Sequence, residues 1–279
     1  MKKAAKTPIS SKNGTYSVPA IHRTLDIIET LIEQRALTVS DISRQFKIPK
    51  SSTYAILQTL KSRGYVEKDA EDRYFLSFRL FSLGATLVDN LDVRTEIHPL
   101  LEELTKKAGI TAHVAILDAG YAVYIDKVEV MDALRLTTWV GMRMPLHSTA
   151  MGKALLAFLP EKEIDRILAE HPLKRFTPRT ITDPALLKEQ LAKVRSQGFA
   201  SANEENELDV RSVAAPIFNG AQEVVAAVNL GASTLQIHGK DIPMLSAMVS
   251  AYAMKMSARL GYRAPTGTKN GGSNGSRSS

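Results

Sequence analysis

LTVSDISRQFKIPKSSTYAILQTLKSRGYVEK, residues 37–68, is the stretch that decides the fold of the N-terminal part of the chain. Thr38 stands directly before Val39-Ser-Asp-Ile-Ser-Arg-Gln-Phe46, and Asp41 follows three residues on, so a helix starts there with an acidic capping box. Ile48-Pro49 interrupts it, and a second helix runs from Lys50 to Arg63 and ends at Gly64. In that helix Tyr54, Leu57 and Leu60 are expected to point inward, while Lys50, Ser51, Ser52, Thr53, Gln58 and Lys61 lie elsewhere on its surface. Tyr65-Val-Glu-Lys68, the polar turn Asp69-Ala-Glu-Asp72 and Arg73-Tyr-Phe-Leu76 then read as a hairpin. Upstream, Pro19 to about Glu33 repeats Ile21, Leu25, Ile28, Leu31 and Ile32 at helical spacing, so three helices and a wing are expected.

Two helices joined by a tight turn, the second offering short polar and long basic side chains, form the arrangement that enters a DNA major groove. The sequence places Thr38, Lys50, Ser51, Ser52 and Thr53 where amides, hydroxyls and a cation would grip phosphate, and Tyr54 and Gln58 within reach of bases. Lys61, with Lys68 and Arg73 on the wing, would add backbone contacts. The charge distribution agrees. Residues 1–80 hold 14 Lys and Arg against 8 Asp and Glu, whereas the remainder holds 22 against 21, so nearly all of the net +7 is N-terminal. Phosphate backbones attract such a segment through counterion release. A solvated basic tail carrying Lys2, Lys3, Lys6 and Lys12, or a winged helix that docks protein, are the plainer readings.

At 279 residues, 44% hydrophobic and 23% charged, the chain suits two folded domains. There is no cysteine, which removes disulfides, thiolate zinc sites and cysteine nucleophiles together and fits a cytoplasmic location. Met1 to Ser17 has no apolar segment of a signal peptide, and no run is long enough to span a membrane. The expected organisation is a basic disordered tail over 1–17, a winged helix-turn-helix over 18–79, a linker helix over 80–92, a second domain over 93–262 and a disordered Gly- and Ser-rich tail over 263–279. In the second domain a helix covers Val93 to Ala108. Strands are expected at Ala112 to Leu117, Tyr121 to Val128, Leu134 to Trp139, Val210 to Phe218 and Glu223 to Leu230, the last two joined around Asn219-Gly220. Helices are expected from Ser148-Thr149 to Pro160, from Glu161 to Glu170, from Pro184 to Gln197 and from Ile242 to Leu260.

Three stretches in order carry a resemblance to a known family. They are Leu37-Thr-Val-Ser-Asp-Ile with Ile48-Pro-Lys-Ser-Ser-Thr-Tyr and Gly64-Tyr-Val-Glu; Pro145-Leu-His-Ser-Thr-Ala-Met-Gly-Lys-Ala-Leu-Leu-Ala157; and Gly198-Phe-Ala with Glu204-Glu205 and Val213-Ala-Ala-Pro216. Over about residues 18–262 the chain resembles the IclR-type bacterial transcription regulators. The resemblance implies an α+β chain in which a GAF-like domain, an antiparallel sheet flanked by helices, follows the winged helix. It implies a homodimer on operator DNA, with dimers pairing into a tetramer as a further step, and the 80–92 helix as transmitter. Pocket contacts would fall on Ser148, Thr149, Ala150, Met151 and Gly152, on Asn203 or Glu204, on Ser212, and on Asn229 and Gly231. The last strand departs from the serine-rich version of glyoxylate-type sensors, which argues for a different ligand.

The residues make chemical sense of a small organic acid. Small side chains at Ala150, Gly152 and Ala154 would let a ligand approach a helix whose amino end favours a carboxylate. Trp139, Met142, Met144 and Leu146 would form an apolar wall for an aromatic or longer aliphatic acid, or else ordinary core. A cytosolic enzyme acting on a small acid is the rival, but His147-Ser148 are adjacent and lack a third orienting group. Glu204, Glu205, Glu207 and Asp209 read as a solvated acidic loop, and His113 as a core histidine. No phosphate-binding glycine loop is present, so neither catalysis, metal nor nucleotide cofactor is expected.

Overall fold

The computed structural model describes residues 18–89, 92–130 and 137–263, and the chain divides into two compact units, Met1–Asn90 and Leu91–Ser279. The two expected tails lie almost wholly outside the described residues. So does the first half of the strand expected at Leu134 to Trp139, and Thr137 to Trp139 carry no strand.

The first unit contains α1 (Pro19–Gln34), α2 (Val39–Phe46), α3 (Lys50–Ser62), the hairpin β1 (Val66–Lys68) and β2 (Tyr74–Leu76), and α4 (Arg79–Asp89). Its core is Ile27, Leu31, Ile42, Leu57, Leu60, Val66 and Tyr74. The capping box forms as the sequence requires: the Thr38 hydroxyl accepts the Asp41 amide, and the Asp41 carboxylate accepts the Thr38 amide. Donation to its carboxylate by the Thr38 hydroxyl at 2.6 Å, and then by the Thr38 amide, holds the Asp41 carboxyl below its ordinary pKa. The turn into α3 is tied by Ser43, whose hydroxyl donates to the Ile48 carbonyl at 2.6 Å, with Lys47 in the left-handed conformation at φ 53°.

One orientation differs from expectation. In α3 it is Thr53, not Tyr54, that packs inward with Leu57 and Leu60. Spacing of three and four residues puts 53, 57 and 60 on one face, and the Thr53 hydroxyl is satisfied there by donating to the Pro49 carbonyl. In α1 the inward residues are Ile27, Thr30 and Leu31, while Val18, Ile21, Leu25 and Ile32 stand exposed.

The second unit begins with α5 (Asp92–Ala108) and continues through β3 (Ala112–Asp118), β4 (Tyr121–Val128), β5 (Arg143–Pro145), α6 (Ala150–Leu156), α7 (Glu161–Glu170), α8 (Pro184–Gln197), β6 (Ala200–Asn203), β7 (Val210–Phe218), β8 (Val224–Ser233) and α9 (Ile242–Arg259). The six strands form one antiparallel sheet in the order β5-β4-β3-β8-β7-β6. Ile97, Leu101 and Leu104 of α5 and Val249 and Met256 of α9 cover one face with Val114, Val213, Val228 and Leu230. The other face is built from Ala115, Ala122, Ala200, Ala202, Ala214 and Ala227, and these small residues let the wholly buried α6 lie close, with α7 and α8 behind it. Strands β5 and β6 were not foreseen, being three and four residues long. The Asn219-Gly220 hairpin forms, but as a longer loop in which the Asn219 side chain accepts the amides of Ala221 and Glu223.

Candidate nucleic-acid interface and ligand site

The outward face of α3 presents Lys50, Ser51, Tyr54, Ala55 and Lys61, with Ser52 and Gln58 half-buried at its edges. Thr53 is absent from this face because its side chain is fully buried. Gln58 is partly committed, since its amide donates to the Tyr74 hydroxyl at 3.0 Å and so ties α3 to β2. Thr38 spends its hydroxyl on the cap. The wing departs furthest from expectation. Lys68 pairs with Asp72 at 2.6 Å, and Arg73 pairs with Asp69 at 2.8 Å and Glu71 at 3.1 Å; both cations are held above their ordinary pKa by hydrogen bonds to those carboxylates. A wing that neutralises its own cations is a poor phosphate clamp. Arg44 and Lys47, exposed at the end of α2 and in the turn, were missed; they join Lys50 as basic side chains bordering the α3 amino end. The signal was in the sequence as two cations flanking a helix-turn-helix turn.

In the second unit, register decides which residues meet. Lys127 of β4, His113 of β3, Asn229 of β8, Ala214 of β7 and Ala200 of β6 form one row across the sheet, and Ser212 stands opposite Gly231 in the next row on the same face. His113 is buried, with Nδ1 3.1 Å from Asn229 Oδ1 and Nε2 2.8 Å from Thr138 Oγ1. Its ring stacks on Tyr124 with centroids 4.7 Å apart. Burial, assisted by the positive charge of Lys127, pulls the His113 pKa down to about 4, and burial pushes the Tyr124 phenol up to about 12, so both are neutral near pH 7. Lys127 donates to the Thr138 carbonyl at 2.6 Å and pairs with Glu129. This grouping was missed because only strand register brings His113 and Tyr124 together with Asn229, and Thr138 reaches His113 from the loop before β5.

Strand β4 places Lys127 here through a bulge. Val114 is opposite Asp126 and Ala115 opposite Tyr124, so Ile125 is the extra residue. Asp126 is thereby turned to the other face, where its buried carboxylate meets His98 Nδ1 at 2.7 Å and Arg94 at 3.5 Å, both on α5.

The loop after β6 closes against α6. Ser148 donates to Asn206 Oδ1 at 2.8 Å, and Lys153 holds Glu205 at 2.8 and 2.9 Å. Thr177 and Thr180 each donate to a carbonyl of Glu204 or Glu205 at 2.6 Å, and Arg179 pairs with Glu204 at 2.9 Å. The acidic loop is therefore fastened rather than merely solvated. Several expected pocket residues are otherwise occupied. Thr149 uses its hydroxyl to accept the Gly152 amide and to donate to the Pro145 carbonyl. At Gly152 a Cβ would stand 2.3 Å from the Leu146 backbone, so glycine is required for packing and not for ligand approach. Asn203 pairs with Arg211 across β6 and β7, one residue out of step with Ser212, and accepts from that guanidinium at 2.7 Å. Glu204 is taken by Arg179. Trp139 is exposed, whereas Leu146, Met142 and Met144 pack with the α6-side core, and Ala150 and Met151 are buried there. Helix α6 spans seven residues and stops at Leu156, short of Pro160. His147 and Ser148 part company: His147 Nε2 lies 2.9 Å from the Lys174 carbonyl, away from the Ser148–Asn206 bond, and burial lowers its pKa.

A winged helix with a polar and basic recognition helix, followed by a helix-flanked sheet with a neutral polar row, defines a DNA-binding regulator with a separate second unit. The chain belongs to the IclR family of bacterial transcription regulators: the IclR helix-turn-helix domain matches residues 20–70 and the bacterial transcriptional regulator IclR C-terminal domain matches residues 85–258. It is 36% identical to the HTH-type transcriptional regulator KdgR of Escherichia coli over 247 residues, covering 88% of this chain and 94% of that one. The crystal structure of the Thermotoga maritima IclR is similar with a TM-score of 0.74 and 32% identity, over 87% of this chain and 98% of that one. An IclR homologue from Microbacterium hydrocarbonoxydans, solved in complex with 4-hydroxybenzoate, shares the fold with a TM-score of 0.74 at 24% identity, over 86% of this chain and 98% of that one. Among the described residues no helix is long and apolar enough to cross a membrane.

Proposed function

We propose that this protein is a cytoplasmic regulator whose operator binding is modulated by a small organic acid held on the α6 side of the second-unit sheet. The observation that carries this reading is the polar row. His113 and Asn229, with the half-buried Ser212 in the next row, stand on a face rich in alanine, and burying such polar groups costs free energy unless they are satisfied. His113 is satisfied by Asn229 and Thr138, but the Asn229 amide nitrogen takes no partner among the described residues, and a ligand oxygen would supply one. Ser148, Ala150, Met151 and Gly231 border the same face, and Met142, Met144 and Leu146 supply its apolar part. The same fold holds 4-hydroxybenzoate in the Microbacterium homologue, which agrees with a carboxylate of that size.

Operator contacts are assigned to Lys50, Ser51, Ser52, Tyr54 and Lys61, with Arg44 and Lys47 on the backbone. Reading two half-sites needs two copies. Val18, Ile21, Leu25, Ile28 and Ile32 follow alternating spacings of three and four residues along α1, the seam pattern of paired helices, and four of the five are exposed. A homodimer buries this seam, and dimers then pair. His147 and Ser148 turn to different partners, so the rival enzyme reading would have to rest on the Thr138 hydroxyl and His113, in contact at 2.8 Å.

The test is a thermal-shift screen of the full-length protein against small carboxylates, followed by gel shifts on the adjoining promoter region with any acid that stabilises. Stabilisation together with an altered, salt-sensitive DNA shift supports the reading. DNA binding that no acid changes removes the effector assignment, and consumption of an acid would favour the enzyme.

A further inference from the structure

The row across the sheet has a direction. Asn229 turns Oδ1, its acceptor, toward His113 Nδ1 at 3.1 Å, so the imidazole proton belongs on Nδ1. Nε2 then carries the lone pair and accepts the hydroxyl proton of Thr138 across 2.8 Å. The sequence of donations runs from Thr138 to His113 to Asn229. At its end stands the Asn229 amide nitrogen with two N–H groups. Asn229 is buried, yet its Nδ2 takes no partner among the described residues and is not sealed off from solvent.

We infer that His113 is a positioning residue that fixes the Asn229 amide with its N–H groups toward the ligand, so that the site accepts a hydrogen-bond acceptor such as a carboxylate or carbonyl oxygen and refuses a group that only donates. The inference rests on the reading of this face as the effector site. With the proton on Nε2 instead, Nδ1 would accept, the amide would turn over, and its carbonyl oxygen would face the ligand. One proton on one ring therefore sets the hydrogen-bonding sign of the site.

The surroundings keep that setting. Of the groups facing the imidazole, Lys127 is cationic and Glu129 anionic, and those two pair with each other; Asn229, Thr138 and the Tyr124 phenol are neutral. Burial beside Lys127 keeps the ring from taking a second proton until about pH 4. Lys153, the cation on α6, is engaged by Glu205. A carboxylate entering here is met by neutral donors, which are well suited to an oriented oxygen in a site of low dielectric.

The first test is spectroscopic and needs no ligand. Full-length protein labelled with ¹⁵N-histidine is examined by long-range ¹H–¹⁵N correlation at pH about 7 and about 5.5, with His113→Gln used to assign the resonance. The expected result is a ring protonated at Nδ1 only, unchanged between the two conditions. An Nε2-protonated ring, or one that titrates near the ordinary histidine value, overturns the inference. The second test uses acetate, benzoate and 4-hydroxybenzoate, with benzylamine as a donor-only probe. Asn229→Asp, which presents only acceptors, should weaken any acid that binds the wild type by about tenfold or more. His113→Phe, which keeps a ring against Tyr124 but frees the amide, should erase the preference for acid over amine. An unchanged preference counts against the inference. If none of the acids stabilises the wild type, the effector reading suffers, whereas the tautomer result still decides the role of His113.

Discussion

Thr53 and Tyr54 are neighbours in α3, yet one is fully buried and the other 52% exposed. That hundred-degree step separates folding from recognition. Lys50→Ala should weaken DNA binding almost uniformly across sequences and reduce the slope of log affinity against log salt by about one. Thr53→Val should leave that slope unchanged and show itself only in thermal stability. Fluorescence anisotropy at several salt concentrations distinguishes them. His113 makes a further prediction at this scale. Its pKa in the folded chain, about 4, lies below the ordinary 6.5, so the unfolded chain binds the extra proton first as pH falls. Stability is therefore complete above about pH 6.5 and declines toward pH 4, by about 2 kcal/mol at pH 5 from this group. Urea denaturation at pH 8 and pH 5 should show the decline, and His113→Gln should flatten it. The sequence made His113 a core histidine, and buried it is. That it would meet Asn229, 116 positions later, was beyond reach because no local pattern encodes strand register.

Among elements, those with strong local signals were legible and those held by tertiary context were not. The capping box of α2 is local, and Thr38→Ala should cost about 1 kcal/mol in denaturation midpoint terms. Helices α7 and α8 run between the residues their flanking Pro, Asp183 and Gly198 prescribe. Strands β5 and β6 are too short to generate periodicity, and the bulge in β4 has no signature in YAVYIDKV. Gly152 shows how a plausible local reading misleads. A small residue on a ligand-facing helix and a small residue pressed on a neighbouring backbone look alike in sequence, and only the approach of Leu146 separates them. Gly152→Ala should accordingly destabilise the second unit by about 1–3 kcal/mol whether or not ligand is present. A loss confined to ligand affinity would contradict the packing account.

At the scale of the whole molecule, the concentration of positive charge in the first eighty residues and the change from helical to strand patterning beyond residue 110 made a DNA-binding part and a sheet-based part readable in sequence. What sequence obscured was which helix faces remain uncovered. The apolar residues of α1 were legible as a stripe, but not what covers it, because a seam between copies and a seam within one copy share the same spacing. Leu25→Asp should leave the fold of the monomer intact and lower the molar mass measured by light scattering, with DNA binding losing its dependence on paired half-sites. An unchanged mass would exclude α1 as the dimer seam.

The extra residue at Ile125 decides which side of the sheet each of two consecutive β4 side chains serves: Lys127 lies on the α6 side, and Asp126 fastens α5 through His98 and Arg94. The two are joined by a single rigid peptide plane. A regular ladder through Ile125 would instead put Asp126 opposite His113 and Lys127 opposite Ala112, exchanging their sides. Deleting Ile125 would close the bulge and leave Asp126 opposite Val114 and Lys127 opposite His113, so both side chains would keep their partners.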